Sequence, residues 1–281
     1  MNYNISSKKF THPLLKPILL ELTGYFKEAG ISFFVIGATA RDIIMEMNNE
    51  TSGRLTYDLD IAITVNDWEQ WKRVEEDIIN LENFSKDPDQ KQRFIYREKF
   101  QLDIVPFGDI MKSDHKIFWP PNEELAMSVL GFPAADESAV NVRIDNETEI
   151  KIATLSGIFI LKINAWKDRN QSSNKDADDI GYIITNYLSI HEERAATTYY
   201  DEVYGPEPFR NATAGAVLLG KDINELLKNH QETLASIIEI LNNELNKKEQ
   251  SKLINQIIET HKSLYYEEVL QGIKNIVVQL K

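Results

Sequence analysis

Two aspartates at alternate positions of one short apolar segment are the residues of this sequence best suited to metal chemistry. Asp58 and Asp60 lie in the segment YDLDIAITV. Because strand side chains alternate between two faces, both carboxylates share one side, and Leu59 and Ile61 belong to the core face opposite. By strand rise, the two backbone positions are about 7 Å apart. Mg²⁺ takes one or two such carboxylates together with phosphate oxygens, so the pair predicts a metal site. The alternative is the solvated side of an antiparallel sheet.

A third carboxylate, Asp103, occupies the same kind of position in the segment FQLDIVPF. If this strand pairs beside the first, Asp103 joins Asp58 and Asp60 on one surface. Three carboxylates can hold two metal ions about 3.5–4 Å apart, which clamp the attacking and leaving oxygens of a phosphoryl displacement. We therefore predict that these three residues are metal ligands and catalytic residues. The alternative for Asp103 is a salt bridge to a basic neighbour such as Arg97.

A glycine turn upstream of the acidic residues predicts a phosphate-binding site. In FFVIGATARD a buried strand ends at Gly37 and a helix begins at once. Glycine allows a phosphate to approach the backbone closely, and the first N–H groups of a helix attract anions. Thr39 would add a hydroxyl and Arg41 a guanidinium. Taken alone, the same glycine could mark an ordinary turn.

The elements that position these residues follow from hydrophobic periodicity. A first helix runs from about Leu14 to Ala29 and ends at Gly30, and Asp67 caps a helix to about Leu81. The segments RFIYRE and FQLDIVPF form one hairpin, and NVRID and EIKIA form a second one around DNET. The polar stretch NNETSGR is a loop, and the span from 108 to 138 is irregular. After about Leu155 the chain is helical, with a capping box formed by Asp222 and Glu225. These elements predict an α/β (α+β) protein with a small mixed sheet, flanking helices and an all-helical C-terminal part.

Composition restricts the classes of function. The 281 residues include no cysteine, which excludes disulfides, thiolate metal sites and cysteine nucleophiles. A formal net charge of −13 argues against broad, nonspecific binding of nucleic acid. The N-terminus has no apolar core of signal-peptide length, and no apolar run is long enough to cross a membrane. We expect a cytoplasmic protein that does not interact with membranes.

The order of these motifs resembles the signature of the polymerase-β-type nucleotidyltransferase superfamily. The resemblance rests on Gly37-Ala38, then Asp58-Leu59-Asp60-Ile61, then the separate Asp103, and IGATARD is similar to the Gly-Gly-x-x-Arg-Asp version of CCA-adding enzymes. Ala38 replaces the usual serine or glycine, and NNETSGR lengthens the gap between the glycine turn and the acidic pair. The resemblance implies an NTP-dependent transferase, with Gly37, Ala38, Thr39 and Arg41 at the nucleotide and Asp42 in a supporting position.

The segment LKINAWKDRNQSSNKDADDI resembles a later motif of AbiEii-like nucleotidyltransferases, the toxin-type group of bacterial toxin–antitoxin systems. The corresponding positions are Lys162, Arg169, Lys175, Asp176 and Asp179. Lys162 and Arg169 are seven apart and lie on one side of a helix. We assign both to the nucleotide triphosphate, and we expect removal of Lys162 to leave the fold intact. Lys175, Asp176 and Asp179 can form a local ion-pair network, a structural or supporting role. The alternative for Lys162 is a solvated lysine on a surface helix.

Together the residues and the resemblance imply a catalytic nucleotidyltransferase domain over residues 1–154 and a helical domain over residues 155–281 that completes the active site. The expected reaction moves a nucleoside monophosphate from an NTP, ATP among the candidates, to an acceptor hydroxyl with Mg²⁺ or Mn²⁺. The acceptor would be an RNA 3′ end or a protein, and an antitoxin protein is a further possible partner. Two alternatives stay open: transfer to a small molecule of the antibiotic type, and a non-catalytic nucleotide-binding or interaction module with the same fold.

Overall fold

A computed structural model describes residues 3–50 and 57–281 of the chain. The predicted loop NNETSGR lies largely outside these residues, because positions 51–56 are not described. The chain forms two compact units, Met1–Thr154 and Leu155–Lys281. Each unit is described below by itself.

The N-terminal unit is built on a mixed sheet. In the described residues this sheet has eight strands in the order β1-β9-β10-β2-β3-β6-β5-β4, and β7 and β8 form a separate two-stranded ribbon. The strands are β1 (Tyr3–Ile5), β2 (Phe33–Ile36), β3 (Asp58–Val65), β4 (Phe84–Lys86), β5 (Arg93–Tyr96), β6 (Phe100–Gly108), β7 (Lys116–Phe118), β8 (Ala126–Ser128), β9 (Val140–Ile144) and β10 (Thr148–Ile152).

Among the described residues, four α-helices accompany the sheet. They are α1 (Leu15–Ala29), α2 (Gly37–Met47), α3 (Trp68–Asn80) and α4 (Phe132–Glu137), and a short 3-10 helix spans Ser7–Lys9. Gly30 ends α1 in the left-handed conformation at φ 67°, and the side chain of Asp67 accepts a hydrogen bond from the backbone N–H of Gln70 at the start of α3. Both helix ends agree with the sequence prediction, because each depends on local chemistry.

The strand pairs predicted around the acidic residues are present. β5 and β6 are antiparallel neighbours, and so are β9 and β10. β3 lies between β2 and β6 at the centre of the sheet, antiparallel to the first and parallel to the second. Its core face is fully buried, with Leu59, Ile61 and Ile63 at 0% exposure. This buried face fixes the register of β3, because a slip of one residue would bury the carboxylates.

Two predictions for this unit were incomplete. The mixed sheet is larger than expected, because the three-residue strands β1 and β4 join its ends. The span from 108 to 138, predicted to be irregular, contains the ribbon of β7 and β8 and the helix α4. Elements this short carry too few residues for a periodic pattern, and long-range pairing such as Tyr3 with Val142 determines them.

The C-terminal unit is helical throughout its regular elements. Its helices are α5 (Leu155–Arg169), α6 (Lys175–Ile190), α7 (Glu192–Thr198), α8 (Tyr200–Tyr204), α9 (Asn211–Leu227), α10 (Gln231–Asn246), α11 (Lys252–Thr260) and α12 (Tyr266–Gln279), with a 3-10 helix at Lys248–Gln250. The mixed sheet and the helices after residue 155 confirm the predicted fold class.

The capping box predicted at Asp222 is wrong. Asp222 lies inside α9, where its carboxylate accepts hydrogen bonds from the hydroxyl of Tyr187 and the guanidinium of Arg194. The sequence pattern fits a cap, but the tertiary partners of the carboxylate allow the helix to continue through it. A capping box occurs instead at Tyr265 and Glu268, at the start of α12.

None of the helices within residues 3–50 and 57–281 has the length and hydropathy needed to cross a lipid bilayer.

Candidate active site

The parallel pairing of β3 and β6 brings the three predicted carboxylates to one face of the sheet. Asp60 lies directly opposite Asp103 in the register of the two strands. Asp58 lies two residues before Asp60 on the same strand, and therefore on the same face. All three side chains are partly exposed, while their strand neighbours are buried. The acidic face, defined as Asp58, Asp60 and Asp103, is thus the polar side of a strand pair whose other side is core.

The glycine turn lies against this acidic face. Gly37 begins α2 with φ 65°, a conformation that residues with a side chain rarely adopt. A Cβ atom at this position would overlap Oδ2 of Asp60 and would lie 3.3 Å from its Cγ. The sequence predicts that this glycine allows close approach of a phosphate. The structure gives it another function as well, because the absence of a side chain leaves room for the Asp60 carboxylate.

Thr39 and Arg41 are more buried than a direct contact with nucleotide suggests. The Thr39 hydroxyl is 5% exposed and donates a hydrogen bond of 3.2 Å to the backbone carbonyl of Asp58, so it attaches α2 to the start of β3. Arg41 is 1% exposed, and its guanidinium donates to the Asp42 carboxylate from Nε at 3.0 Å and Nη2 at 2.8 Å. Ala38, also buried, is the second residue of α2. Contact of Arg41 with phosphate stays a prediction, and it requires the side chain to become exposed.

Asp103 forms a bidentate ion pair with Arg93. Sequence reasoning missed Arg93. Arg93 Nε lies 2.7 Å from one carboxylate oxygen of Asp103, and Nη2 lies 2.8 Å from the other. The proposed salt-bridge alternative therefore applies, but with Arg93 in place of Arg97, which lies 3.5 Å from Glu21. The register explains the choice, because Arg93 and Asp103 are directly opposite on β5 and β6. Sequence reasoning predicted the hairpin but not which residues form its turn, and the turn sets Arg93 opposite Asp103.

The donor set of the acidic face suits one divalent cation better than two. Mg²⁺ prefers carboxylate oxygens, and Asp58 and Asp60 supply two of them on one strand. In the described part of the chain, the Asp58 carboxylate has no hydrogen-bond or ion-pair partner. Both Asp103 oxygens, by contrast, already accept hydrogen bonds from Arg93. Across residues 3–50 and 57–281, no three acidic or histidine side chains are grouped closely enough to hold a metal ion. The residues therefore fit a metal at Asp58 and Asp60, and they do not fit a second metal at Asp103 in this arrangement.

Lys162 belongs to a buried ion-pair cluster in the C-terminal unit. Its Nζ atom lies 2.6 Å from Asp179 and 3.5 Å from Asp176, and both carboxylate side chains are 1% exposed. Arg169 binds Asp176 from Nε at 2.6 Å and from Nη2 at 2.7 Å. Burial alone would raise the pKa of Asp176, but the hydrogen bonds from Arg169 and the charge of Lys162 hold this pKa below its usual range.

Two expectations about this cluster change. The acidic residues of α6 are paired with Lys162 and Arg169 of α5, whereas the expected local network centred on Lys175 of their own helix. Lys162 was also expected to be dispensable for the fold. Because its ammonium group lies 2.6 Å from the buried Asp179 carboxylate, its removal would take away the positive charge that offsets this buried anion.

Trp119 is a core residue of the N-terminal unit. It is 3% exposed and packs against Trp68 and Trp71 of α3, with ring centroids 5.6 and 5.4 Å away. In this buried position Trp119 is not available for stacking on a nucleobase. Phe118 contacts the Lys112 ammonium group, which lies 4.3 Å from its ring centroid.

Comparison with known proteins identifies the relatives of this chain. Residues 25–260 match the model of the family described as the nucleotidyl transferase AbiEii toxin of a Type IV toxin–antitoxin system. No curated protein matches the sequence. The solved structures that resemble the chain include the following two. A nucleotidyltransferase-like antigenic protein from Paracoccidioides brasiliensis has 14% identity and a TM-score of 0.42, covering 70% of this chain and 92% of its own. The antibiotic-resistance factor ANT(2″)-Ia has 11% identity and a TM-score of 0.37, covering 67% and 94% respectively.

Proposed function

The chain belongs to the AbiEii family of nucleotidyltransferase toxins, and on this basis we propose that it moves a nucleoside monophosphate from an NTP to an acceptor hydroxyl of RNA or protein. The enzyme is thus a nucleotidyltransferase by family. What supports the finer assignment is the register of β3 and β6, which sets Asp60 beside Asp103 and next to the Gly37 turn. A carboxylate surface adjoining the start of a helix suits a cation and an anionic triphosphate together.

In the proposed reaction each residue has a separate role. Asp58 and Asp60 hold the divalent cation, which when bound screens the negative charge of the triphosphate. The N–H groups at the start of α2, from Ala38 onward, donate hydrogen bonds to phosphate oxygens. Asp103 accepts the proton of the acceptor hydroxyl, and the oxygen of that hydroxyl forms a bond to the α-phosphorus. The bond between the α-phosphorus and its bridging oxygen then breaks, and pyrophosphate leaves with both electrons of that bond. Positioning and charge stabilisation supply the rate.

We assign Lys162 and Arg169 to the triphosphate in the same reaction. Lys162 is 16% exposed, and its ammonium group is held by Asp179 and Asp176. These ion pairs fix the position of the ammonium group, which favours a preorganised contact with phosphate. Arg169 is 56% exposed and is oriented by Asp176. Asp42, Asp176 and Asp179 then act as supporting residues, each by orienting a basic side chain.

Transfer of label from each α-labelled NTP into a total cell extract tests the proposed function. We expect label in RNA or protein with the unmodified chain, and none with Asp60→Asn. If only small molecules are labelled, the acceptor is neither RNA nor protein, and the antibiotic-type alternative is favoured. If no acceptor is labelled with any of the four nucleotides under Mg²⁺ or Mn²⁺, the proposal is wrong. Because the family comprises toxins of Type IV systems, repeating the assay with the product of a neighbouring reading frame would also test an antitoxin partner.

A further inference from the structure

The guanidinium of Arg93 places a fixed positive charge beside Asp103 of the acidic face. The two nitrogens that bind Asp103 engage both of its carboxylate oxygens, at 2.7 and 2.8 Å. Both side chains are mostly buried, Arg93 at 25% and Asp103 at 15% exposure. Because β5 and β6 are hydrogen-bonded neighbours and the two residues are direct register partners, the pairing is built into the sheet. It does not depend on a mobile loop.

The guanidinium of Arg93 engages the two Asp103 oxygens that a second metal ion would need as ligands. A metal shared by Asp60 and Asp103 would lie beside the Asp103 oxygens, where the guanidinium nitrogens now lie. An arginine in a protein is always charged, so it repels a divalent cation at any working pH. The acidic neighbours reinforce this charge, since hydrogen bonding to Asp103 and the charges of Asp87 and Asp58 raise the pKa of Arg93.

We infer that the enzyme binds a single divalent cation, through Asp58 and Asp60, and that Arg93 replaces the second cation at Asp103. This inference rests on the proposed function and specifies its metal requirement. Arg93 is a positioning residue: it holds the Asp103 carboxylate in a fixed orientation from which it accepts the proton of the acceptor hydroxyl. One divalent cation and one guanidinium together neutralise the three carboxylates of the acidic face.

Counting Mn²⁺ ions tests the inference on the full chain. Mn²⁺ is titrated into the protein and followed by electron paramagnetic resonance, with and without a non-hydrolysable triphosphate. We expect one tight Mn²⁺ per chain, lost in Asp60→Asn. Arg93→Gln should bind two, because Asp103 is then free and the repelling charge is gone. Arg93→Gln combined with Asp103→Asn should return to one. Arg97→Gln is the matched control, an arginine of the same hairpin that pairs with Glu21, and should bind one.

A second variant separates the positive charge of Arg93 from its two-nitrogen contact with Asp103. Arg93→Lys keeps a positive charge on β5 but loses the two-pronged grip, so we expect one Mn²⁺ together with a transfer rate at least tenfold lower. Two Mn²⁺ in Arg93→Lys, or the same Mn²⁺ count in Arg93→Gln as in the unmodified chain, would overturn the inference.

The unmodified chain gives two further decisive outcomes. Two Mn²⁺ of similar affinity would refute the role of Arg93 and leave the proposed transferase intact. No Asp60-dependent Mn²⁺ would overturn the metal-dependent function and this inference with it.

Discussion

Gly37 illustrates how a single residue connects the backbone to the chemistry of the site. The chain leaves β2 and enters α2 through this residue at φ 65°, and the space next to its Cα contains the carboxylate of Asp60. Thr39, two residues later, fixes the carbonyl of Asp58 by a hydrogen bond. The start of α2 therefore positions both acidic residues of β3, one by leaving space and the other by a direct contact.

Gly37→Ala should reduce activity far more than stability. The left-handed conformation costs a residue with a side chain about 1–2 kcal/mol, and the added Cβ displaces the Asp60 carboxylate. A misplacement of about 1 Å at a reacting group costs roughly 100-fold in rate. We expect urea unfolding to show the modest stability loss and the transfer assay to show the large activity loss.

Gly24→Ala is the control for this substitution, because nothing lies within 4 Å of its Cβ position in α1. It should keep full activity and gain about 0.5–1 kcal/mol of stability, since alanine is the better helix residue. A Gly37→Ala protein as active as Gly24→Ala would show that the Asp60 geometry is not required.

At the scale of elements, the sequence predicts what local pattern determines and misses what long-range pairing determines. The alternation in β3 and the glycine ending α1 are local signals, and both elements occur as predicted. β1 has three residues and exists because it pairs with β9, more than 130 positions away. Arg93 was missed for a different reason: its pairing with Asp103 depends on which residues form the hairpin turn, and a single arginine in a strand gives no signal of its own.

Asp176 and Asp179 show the same limit between helices α5 and α6. Their spacing from Lys175 suggested a network within one helix, but side chains of the preceding helix reach them. An acidic residue buried to 1% exposure must be neutralised, and only the tertiary structure determines which base does so. The sequence motif contains the four residues of this cluster, but their pairing comes from helix packing and does not include Lys175.

The α5–α6 cluster predicts that Lys162 supports both stability and activity. Lys162→Ala leaves Asp179 buried without its 2.6 Å partner and should cost about 3–5 kcal/mol in unfolding free energy. Adding Asp179→Asn removes the uncompensated charge and should recover most of that loss. Activity should stay about 10–1000-fold low in both variants if Lys162 contacts the triphosphate.

Lys167→Ala is the matched control, an exposed lysine of the same helix. Its stability should change by no more than about 0.5 kcal/mol. Recovery of full activity in the double variant would limit Lys162 to a structural role. Urea unfolding and labelled-NTP transfer measure the two effects separately.

His191 predicts a pH dependence of stability for the helical unit. Its ring packs on Tyr187 with centroids 4.5 Å apart, and burial, together with the charge of Arg194, lowers its pKa from 6.5 to about 4. Below pH 6.5 the unfolded chain binds this proton more readily than the folded chain does. The contribution of the neutral ring is therefore complete above pH 6.5, and it is lost as the pH falls toward 4.

The loss amounts to at most about 3 kcal/mol over this interval. His191→Phe keeps the ring packing and removes the titration, so its unfolding free energy should fall less than that of the unmodified chain between pH 7 and pH 4.5. Urea unfolding at several pH values measures this difference. Parallel pH profiles of the two proteins would contradict the assignment.

For the whole molecule, charge restricts how an acceptor can be bound. The chain has 44 acidic and 31 basic side chains, and several basic ones are paired with carboxylates, as Arg93 with Asp103, Lys86 with Glu75 and Lys151 with Asp136 are. Binding of RNA through its backbone requires clustered, available positive charge. An RNA acceptor would therefore be held by few phosphate contacts and recognised mainly at the reacting end, whereas a protein acceptor needs no such cluster. The net charge of −13 is compatible with either one.

The proposed assignment of both Asp60 and Lys162 to the nucleotide leads to the last prediction, that the affinity for a triphosphate depends on each of these residues. Binding of a non-hydrolysable NTP with Mg²⁺ is measured by calorimetry for Asp60→Asn, for Lys162→Ala with Asp179→Asn, and for all three changes together. If both groups contact the same ligand, each set should weaken binding, and their effects should be coupled by about 0.5–3 kcal/mol. Strictly additive losses would mean that the two act independently. Unchanged NTP affinity in the Lys162 variant would contradict the assignment of Lys162 to the triphosphate.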